Sequence, residues 1–489
     1  MNSTRSVMLA AVLLLCVAVP GGTAPVCSDL LVGVNERCPL WSAAYNHAGG
    51  RGGDGEDIGR AVAVTPDGSK VFVTGQSRDD TTLQDQATAA YNAVTGTRLW
   101  SARHDHEQQF DTGSAIAASN TAVFVTGRSI GEGFDWATSA YDATTGAVLW
   151  HRRVAGDSGL DDTSWSVVAA PDGRTVYVTG DVDDGADVAG DALTIAYDVA
   201  TGDVVWKSRY DAGSYDGGFR LAMAPDGGRL FMLGTTRRDQ TGNDLLVVAY
   251  HTGPGAMAGE QVWEARYDSV KGVERPIAIA LSPDGARVVV TGTADSAGTG
   301  TDIATVVLDA ATGAREWAAT YNGSRNANDA AAGIAVVGNR VVTAGTAGEG
   351  NVGFDAFTRA YDLATGAVAW TRVENMLATF NDTPLAMTSW GGKVYVVGFY
   401  NVPRGEIQPF FKVEPAAMVT AAYDVASGTR SWVAQHTESG VGADVGVGIA
   451  AGPNGVYPAG TFVFSGTYVY PVVAAKPYAY DIGVVAYRH

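Results

Sequence analysis

Cysteine is scarce in this chain. Three occur in 489 residues, Cys16, Cys27 and Cys38, and all lie near the N-terminus. No disulfide framework or Cys-rich metal knot can therefore hold the body of the protein together. Positive charge is also short: Lys and Arg number 33 against 52 Asp and Glu, a formal net charge of −19. A surface so acidic repels phosphate, which argues against nucleic acid and anionic lipid as partners. Long apolar runs are missing beyond the first residues, so no membrane insertion is expected. Gly-x-Ser-x-Gly, His-Glu-x-x-His, phosphate-loop and EF-hand patterns are absent. Helical periodicity is absent too, and the abundant glycine follows no Gly-X-Y repeat that would indicate collagen. The histidines are few, and only His104 and His106 stand close together, flanked by Asp105 and Glu107.

What is present begins with an export signal. Arg5 precedes an apolar run from Val7 to Val19, broken by Pro20, Gly21 and Gly22. That run is too short to span a bilayer and suits a signal peptide, with Gly22 and Ala24 at the small positions of a cleavage site. Residues 1–24 are read as this signal and 25–39 as a tail. Residues 40–489 form the main domain. The expected location is secreted, periplasmic or at the cell surface. Cys27 and Cys38 remain as an even pair in an oxidising compartment, and a Cys27–Cys38 disulfide is expected.

Tryptophan recurs at Trp41, Trp100, Trp150, Trp206, Trp263, Trp317, Trp370 and Trp432, at spacings of 50 to 62 residues. A period of this size indicates a propeller or a solenoid. The same four short segments return in every unit, rich in β-branched residues and bounded by Gly, Asp or Pro, as strands are. Pro-Asp-Gly at 66–68, 171–173, 225–227 and 283–285, and Pro453-Asn454-Gly455, read as hairpin turns. The fold expected is an all-β, eight-bladed β-propeller of four-stranded antiparallel blades, with seven blades as the alternative. The last unit stops after its third strand, and the chain starts with a surplus tryptophan strand, Trp41 to Tyr45. That strand is expected to complete the last blade and to leave no open edge.

The segments Ala140 to Trp150 (AYDATTGAVLW), Ala196 to Trp206 (AYDVATGDVVW) and Ala360 to Trp370 (AYDLATGAVAW) resemble the tryptophan-docking motif of quinoprotein-type propellers. The chain also resembles exported bacterial propeller-repeat proteins. The resemblance implies the propeller fold. Dehydrogenases of this superfamily use pyrroloquinoline quinone (PQQ) with Ca2+ and carry a vicinal cysteine pair, which this chain lacks. An outer-membrane-protein assembly factor uses the same fold without a cofactor. Two functions follow. The first is an exported, non-enzymatic binding or scaffolding propeller without cofactor. The alternative is a PQQ-dependent oxidoreductase.

Strand order, taken by similarity to WD-repeat blades, puts the segment before Pro-Asp-Gly innermost and the tryptophan strand outermost. An acid precedes the inner strand in every unit: Asp57, Asp111, Asp162, Asp216, Glu274, Asp329, Asp382 and Asp444. These are expected to ring the mouth of the central channel, where they would attract cations. The structural reading is that each accepts bonds from nearby backbone N–H groups. A second set, Asp85, Asp135, Asp191, Asp244, Asp302, Asp355 and Asp481, precedes the third strand on the same face. Two insertions break the repeat, at 399–418 with Tyr400, Phe410 and Phe411, and at 461–480 with Phe464, Tyr468 and Tyr470. Their aromatics are expected beside the acidic ring as a surface for a protein, a carbohydrate or a small cationic ligand. Positions that differ between units are better site candidates than those that repeat.

Overall fold

In the computed structural model the described residues are 38–46, 57–78, 83–156, 159, 161–183, 190–237, 242–268, 274–296, 298–348, 353–374, 382–401, 416–436, 444–464 and 479–489, apart from single positions 108, 132, 157–158, 160, 254 and 256. The signal, Cys27 and the loop up to residue 37 lie outside them. Among the described residues no helix is long and apolar enough to cross a membrane.

Eight four-stranded antiparallel sheets follow one another along the chain. Blades 1 to 7 span 57–104, 111–154, 163–210, 216–267, 275–321, 330–374 and 382–436. Blade 8 takes three strands from 445–486 and its outer strand, Trp41–Tyr45, from the N-terminus. Trp41 pairs with Ala486 and Tyr45 with Ile482, so the ring closes by antiparallel pairing of the two chain ends. The first strands of neighbouring blades pack on each other all the way round, which makes them the innermost layer. Eight blades and N-terminal closure agree with the expectation from the tryptophan period.

The tryptophan motif acts between blades. The Trp150 indole donates to the Val199 carbonyl of the next blade at 2.9 Å, and Trp100 donates to Ala143 at 3.2 Å. In five of the turns above the indoles an Asp closes the loop (Asp142, Asp198, Asp309, Asp362 and Asp424), and Asn92 does so above Trp41. Asp198 Oδ1 accepts the Ala200 and Thr201 N–H groups, both at 2.9 Å, as an Asx turn. Gly202 ends that turn at φ 71°, and any Cβ there would strike the Trp150 ring. Only glycine satisfies both the left-handed backbone and the close approach. Repetition of this contact locks the blades into a ring of fixed spacing.

The Pro-Asp-Gly corners have glycine at positive φ, about 70° at Gly68, Gly173, Gly227 and Gly285. The corner at 453–455 differs. Gly452 pairs directly with Gly455 across Pro453-Asn454, so Gly455 starts a strand and two residues form the loop, against four between Thr65 and Lys70.

Candidate functional site: the bulged inner rim

Each inner strand begins beside its acid and bulges three residues later. The register slips between Gly59 and Ala61, Gly113 and Ala115, Ser164 and Ser166, and Gly218 and Arg220. It slips again between Pro276 and Ala278, Ala331 and Gly333, Pro384 and Ala386, and Gly446 and Gly448. The unpaired residues are therefore Arg60, Ser114, Trp165, Phe219, Ile277, Ala332, Leu385 and Val447, different in every blade.

The cause is visible in the second strand. Its internal glycine, as in the Val-Thr-Gly at Gly75 and Gly292, faces the bulge. A Cβ on Gly75 would meet the Ile58 carbonyl, on Gly127 the Thr112 carbonyl and on Gly398 the Thr383 carbonyl. The bulge turns a carbonyl into the space a side chain would need, so only glycine fits opposite it. A glycine inside all eight second strands was the signal for this feature, and sequence reasoning read it as strand punctuation.

The eight acids lie at the same end of the blades, as expected from strand order, but they do not form an open ring. Asp57, Asp111, Asp162, Asp216, Glu274, Asp329, Asp382 and Asp444 are all buried, none more than 3% exposed. Where their bonds are resolved, they fasten loops. Asp329 takes the Gly323 N–H at 2.5 Å on one oxygen and the Gly348 N–H at 2.7 Å on the other. Asp162 takes Gly156 and Asp183 N–H groups, and Asp216 takes Ala212 N–H at 2.6 Å. Burial is the main reason that the carboxyl pKa values of Asp111 and Asp162 are raised. The second acidic set pairs with arginines of the outer strand in blades 1 to 4: Asp85 with Arg103, Asp135 with Arg153, Asp191 with Arg209 and Asp244 with Arg266.

Three carboxylate groups could hold a cation by proximity, each with oxygens within 4.8 Å: Asp85, Asp105 and Asp111; Asp191, Asp211 and Asp216; Asp244, Asp268 and Glu274. In each, the first Asp already has an arginine as its counter-ion. His104 does not join His106 in a chelate. It stacks on His151 of the next blade, with ring centroids 4.0 Å apart.

Above the acids, two of the rim residues bond the residue that follows the second-strand glycine. Arg60 donates to Gln76 Oε1 at 3.1 Å, and Trp165 donates to Asp181 Oδ1. Arg128 occupies the corresponding place in blade 2, with its guanidinium over the Phe134 ring at 4.3 Å. Trp165 and Leu385 are each 37% exposed. Arg220, next to the Phe219 bulge, is open to water, yet surrounding protein lowers its pKa.

Both aromatic insertions start from this end of neighbouring blades 7 and 8, where Asp382 pairs with Tyr400 and Val445 with Thr461. Tyr400 is the last residue but one of Lys393–Asn401, and Phe464 is the last of Gly455–Phe464, the strands that lead into them. Phe410, Phe411, Tyr468 and Tyr470 lie outside the described residues.

Comparison with known proteins places this geometry. Among solved structures, Sqt1 of Chaetomium thermophilum, bound to the N-terminus of ribosomal protein L10, is 14% identical. It covers 93% of this chain and 100% of its own, with a TM-score of 0.54. The quinohemoprotein alcohol dehydrogenase of Comamonas testosteroni is 13% identical, over 88% of this chain and 75% of its own, with a TM-score of 0.51. That of Pseudomonas putida HK5 is 13% identical, over 88% and 76%, with a TM-score of 0.50. At these identities the likeness is one of fold. A comparison with curated protein sequences found no match. The family model described as "Outer membrane protein assembly factor BamB", of the PQQ-like repeat type, matches residues 40–186, 136–255 and 190–481, and the chain belongs to that family.

Proposed function

We propose that this chain is an exported, non-enzymatic binding propeller whose ligand or partner sits on the acid-bearing face, across the rim and beside the insertions at 399–418 and 461–480. One observation carries this reading. The positions that build blades repeat eight times, whereas the bulged rim residue is different in each blade. Structural duty shared by all blades explains the first kind of position. It does not explain a rim that runs Arg, Ser, Trp, Phe, Ile, Ala, Leu, Val. A varied, partly exposed ring suits recognition of one asymmetric partner, whether protein, carbohydrate or small cation.

The oxidoreductase reading fares worse on chemistry. The quinone is a flat tricarboxylate, which needs an aromatic plate among cations. The exposed rim tryptophan, Trp165, is instead bonded to Asp181, with Asp162 close enough to raise the Asp181 pKa further. These residues do not fit an anionic quinone. The test is direct. Purified protein is incubated with the quinone and Ca2+, desalted, and assayed for quinone absorbance and dye-linked alcohol oxidation. Neither is expected. A retained chromophore with turnover would overturn the binding reading.

A further inference from the structure

The rim of blades 3 and 4 differs from the rest in chemistry, not only in sequence. Trp165 and Phe219 occupy the bulges of adjacent inner strands, and their rings lie 6.1 Å apart, tilted by 43°. Trp165 is one of two tryptophans among the described residues with a large exposed surface. Tyr215 completes the group. A Cβ on Gly217 would come within 2.9 Å of the Tyr215 hydroxyl and 3.0 Å of Phe219 Cζ. A Cβ on Gly190 would come within 3.6 Å of Tyr215 Cε2 and 3.7 Å of Asp181 Cβ. Tyr215 thus lies over Gly190 and Gly217, with its ring edge towards Asp181 and its hydroxyl towards Phe219, and the two glycines allow that close packing.

Asp181 differs from the third-strand acids of its own and the neighbouring blades. Asp135, Asp191 and Asp244 each pair with an arginine. Asp181 accepts the Trp165 indole N–H and has no Lys or Arg partner among the described residues. Burial first, and then the charge of Asp162, raise its pKa to about 6, so it is ionised at neutral pH. Burial, with Asp181 and Asp216 nearby, raises the Tyr215 hydroxyl to about 12, so it stays neutral and can donate. Among the described residues the acids around the space are Asp162, Asp181, Asp183 and Asp216, and the nearby arginines are Arg220 and Arg237, whose backbone N–H donates to the Tyr215 carbonyl at 3.1 Å. The Arg220 guanidinium is turned to the Phe219 carbonyl at 2.9 Å.

We propose that Trp165, Phe219 and Tyr215 form an aromatic site for a small organic cation, an alkylammonium or quaternary ammonium group, with Asp181 as its counter-ion. The proposal rests on the binding reading above and names the ligand chemistry of its rim. Aromatic faces attract cations through the ring quadrupole, more strongly where water is partly excluded. A carboxylate with no Lys or Arg partner among the described residues supplies the Coulomb attraction that a neutral ligand would not use. The net charge of −19 draws cations towards the whole molecule.

Tetramethylammonium, with glucose and chitobiose as neutral controls, is titrated into full-length protein by calorimetry. The wild type should bind the cation and neither sugar. D181N keeps an acceptor for the Trp165 indole but removes the charge, and should weaken cation binding at least tenfold. W165A should do the same, with W165F intermediate in case the alanine variant unfolds. Binding should also weaken as salt rises. Failure of the cation to bind, or binding unchanged in D181N and W165F, would overturn the proposal. So would sugar binding that survives D181N. The quinone assay stays separate: quinone turnover sinks the binding reading, whereas a negative quinone assay with no cation binding sinks this site alone.

Discussion

At the scale of residues, the chain divides into positions fixed by geometry and positions free of it. Gly202 cannot change because its backbone is left-handed and the Trp150 ring lies against it. Asp329 cannot change without leaving two backbone N–H groups buried and unmatched, at about 1–3 kcal/mol each. The stacked His104 and His151 pair is of a third kind, tolerated at neutral pH and a liability in acid. Burial, and then the charge His104 would carry, lower the His151 pKa to about 4, and burial lowers that of His104. The unfolded chain, with His near 6.5, takes up these protons first as pH falls. Stability should therefore drop between about pH 6.5 and 4. The urea midpoint of H151Q, in which Gln can still reach Ser139, should fall less across that window than the wild type. Equal falls would mean that the pair does not carry the pH dependence.

At the scale of elements, the closing strand and the bulge teach different lessons about what a sequence shows. The strand Trp41–Tyr45 was legible because its tryptophan matched seven others and the last unit was one strand short. Its removal is predicted to be costly. Deleting residues 40–46 exposes the edge of the strand ending at Ala486 and removes Trp41, which is 8% exposed and bonded to Ala93. An aromatic of that size buries roughly 150–250 Å². Aggregation, or a melting temperature lower by 10 °C or more, is expected in thermal unfolding. An unchanged melting curve would refute closure by this strand. The bulge was not legible, although its signal was printed in every unit. Glycine after Val-Thr looks like the end of a strand when pairing partners are unknown. Only the paired register shows that Gly75 lies inside a strand, opposite the carbonyl of Ile58. The eight acids were placed on the right face for the same topological reason that succeeded with the strand. That they accept backbone N–H groups was one of the two readings of the sequence, but sequence does not reveal which loop N–H groups fold down onto each carboxylate.

At the scale of the whole molecule, fold and recognition are separable. Tryptophan docking, Asx turns, acid-fastened loops and facing glycines recur around the ring and set its geometry. The bulged rim contributes little to that geometry, because an unpaired residue has no partner across the strand and stands at the edge of the axial space. Blades 5 to 8 carry mostly aliphatic rim residues, and blades 1 to 4 carry the charged, hydroxyl and aromatic ones. That imbalance gives a symmetric scaffold one chemically distinct side. The most direct measurement is a titration of tetramethylammonium into a variant with Arg60, Trp165, Phe219 and Leu385 all replaced by serine, the residue blade 2 already carries at Ser114. The predicted result is a variant that melts within a few degrees of the wild type and no longer binds the cation. A folded variant that binds it as the wild type does would contradict a recognition role for the rim.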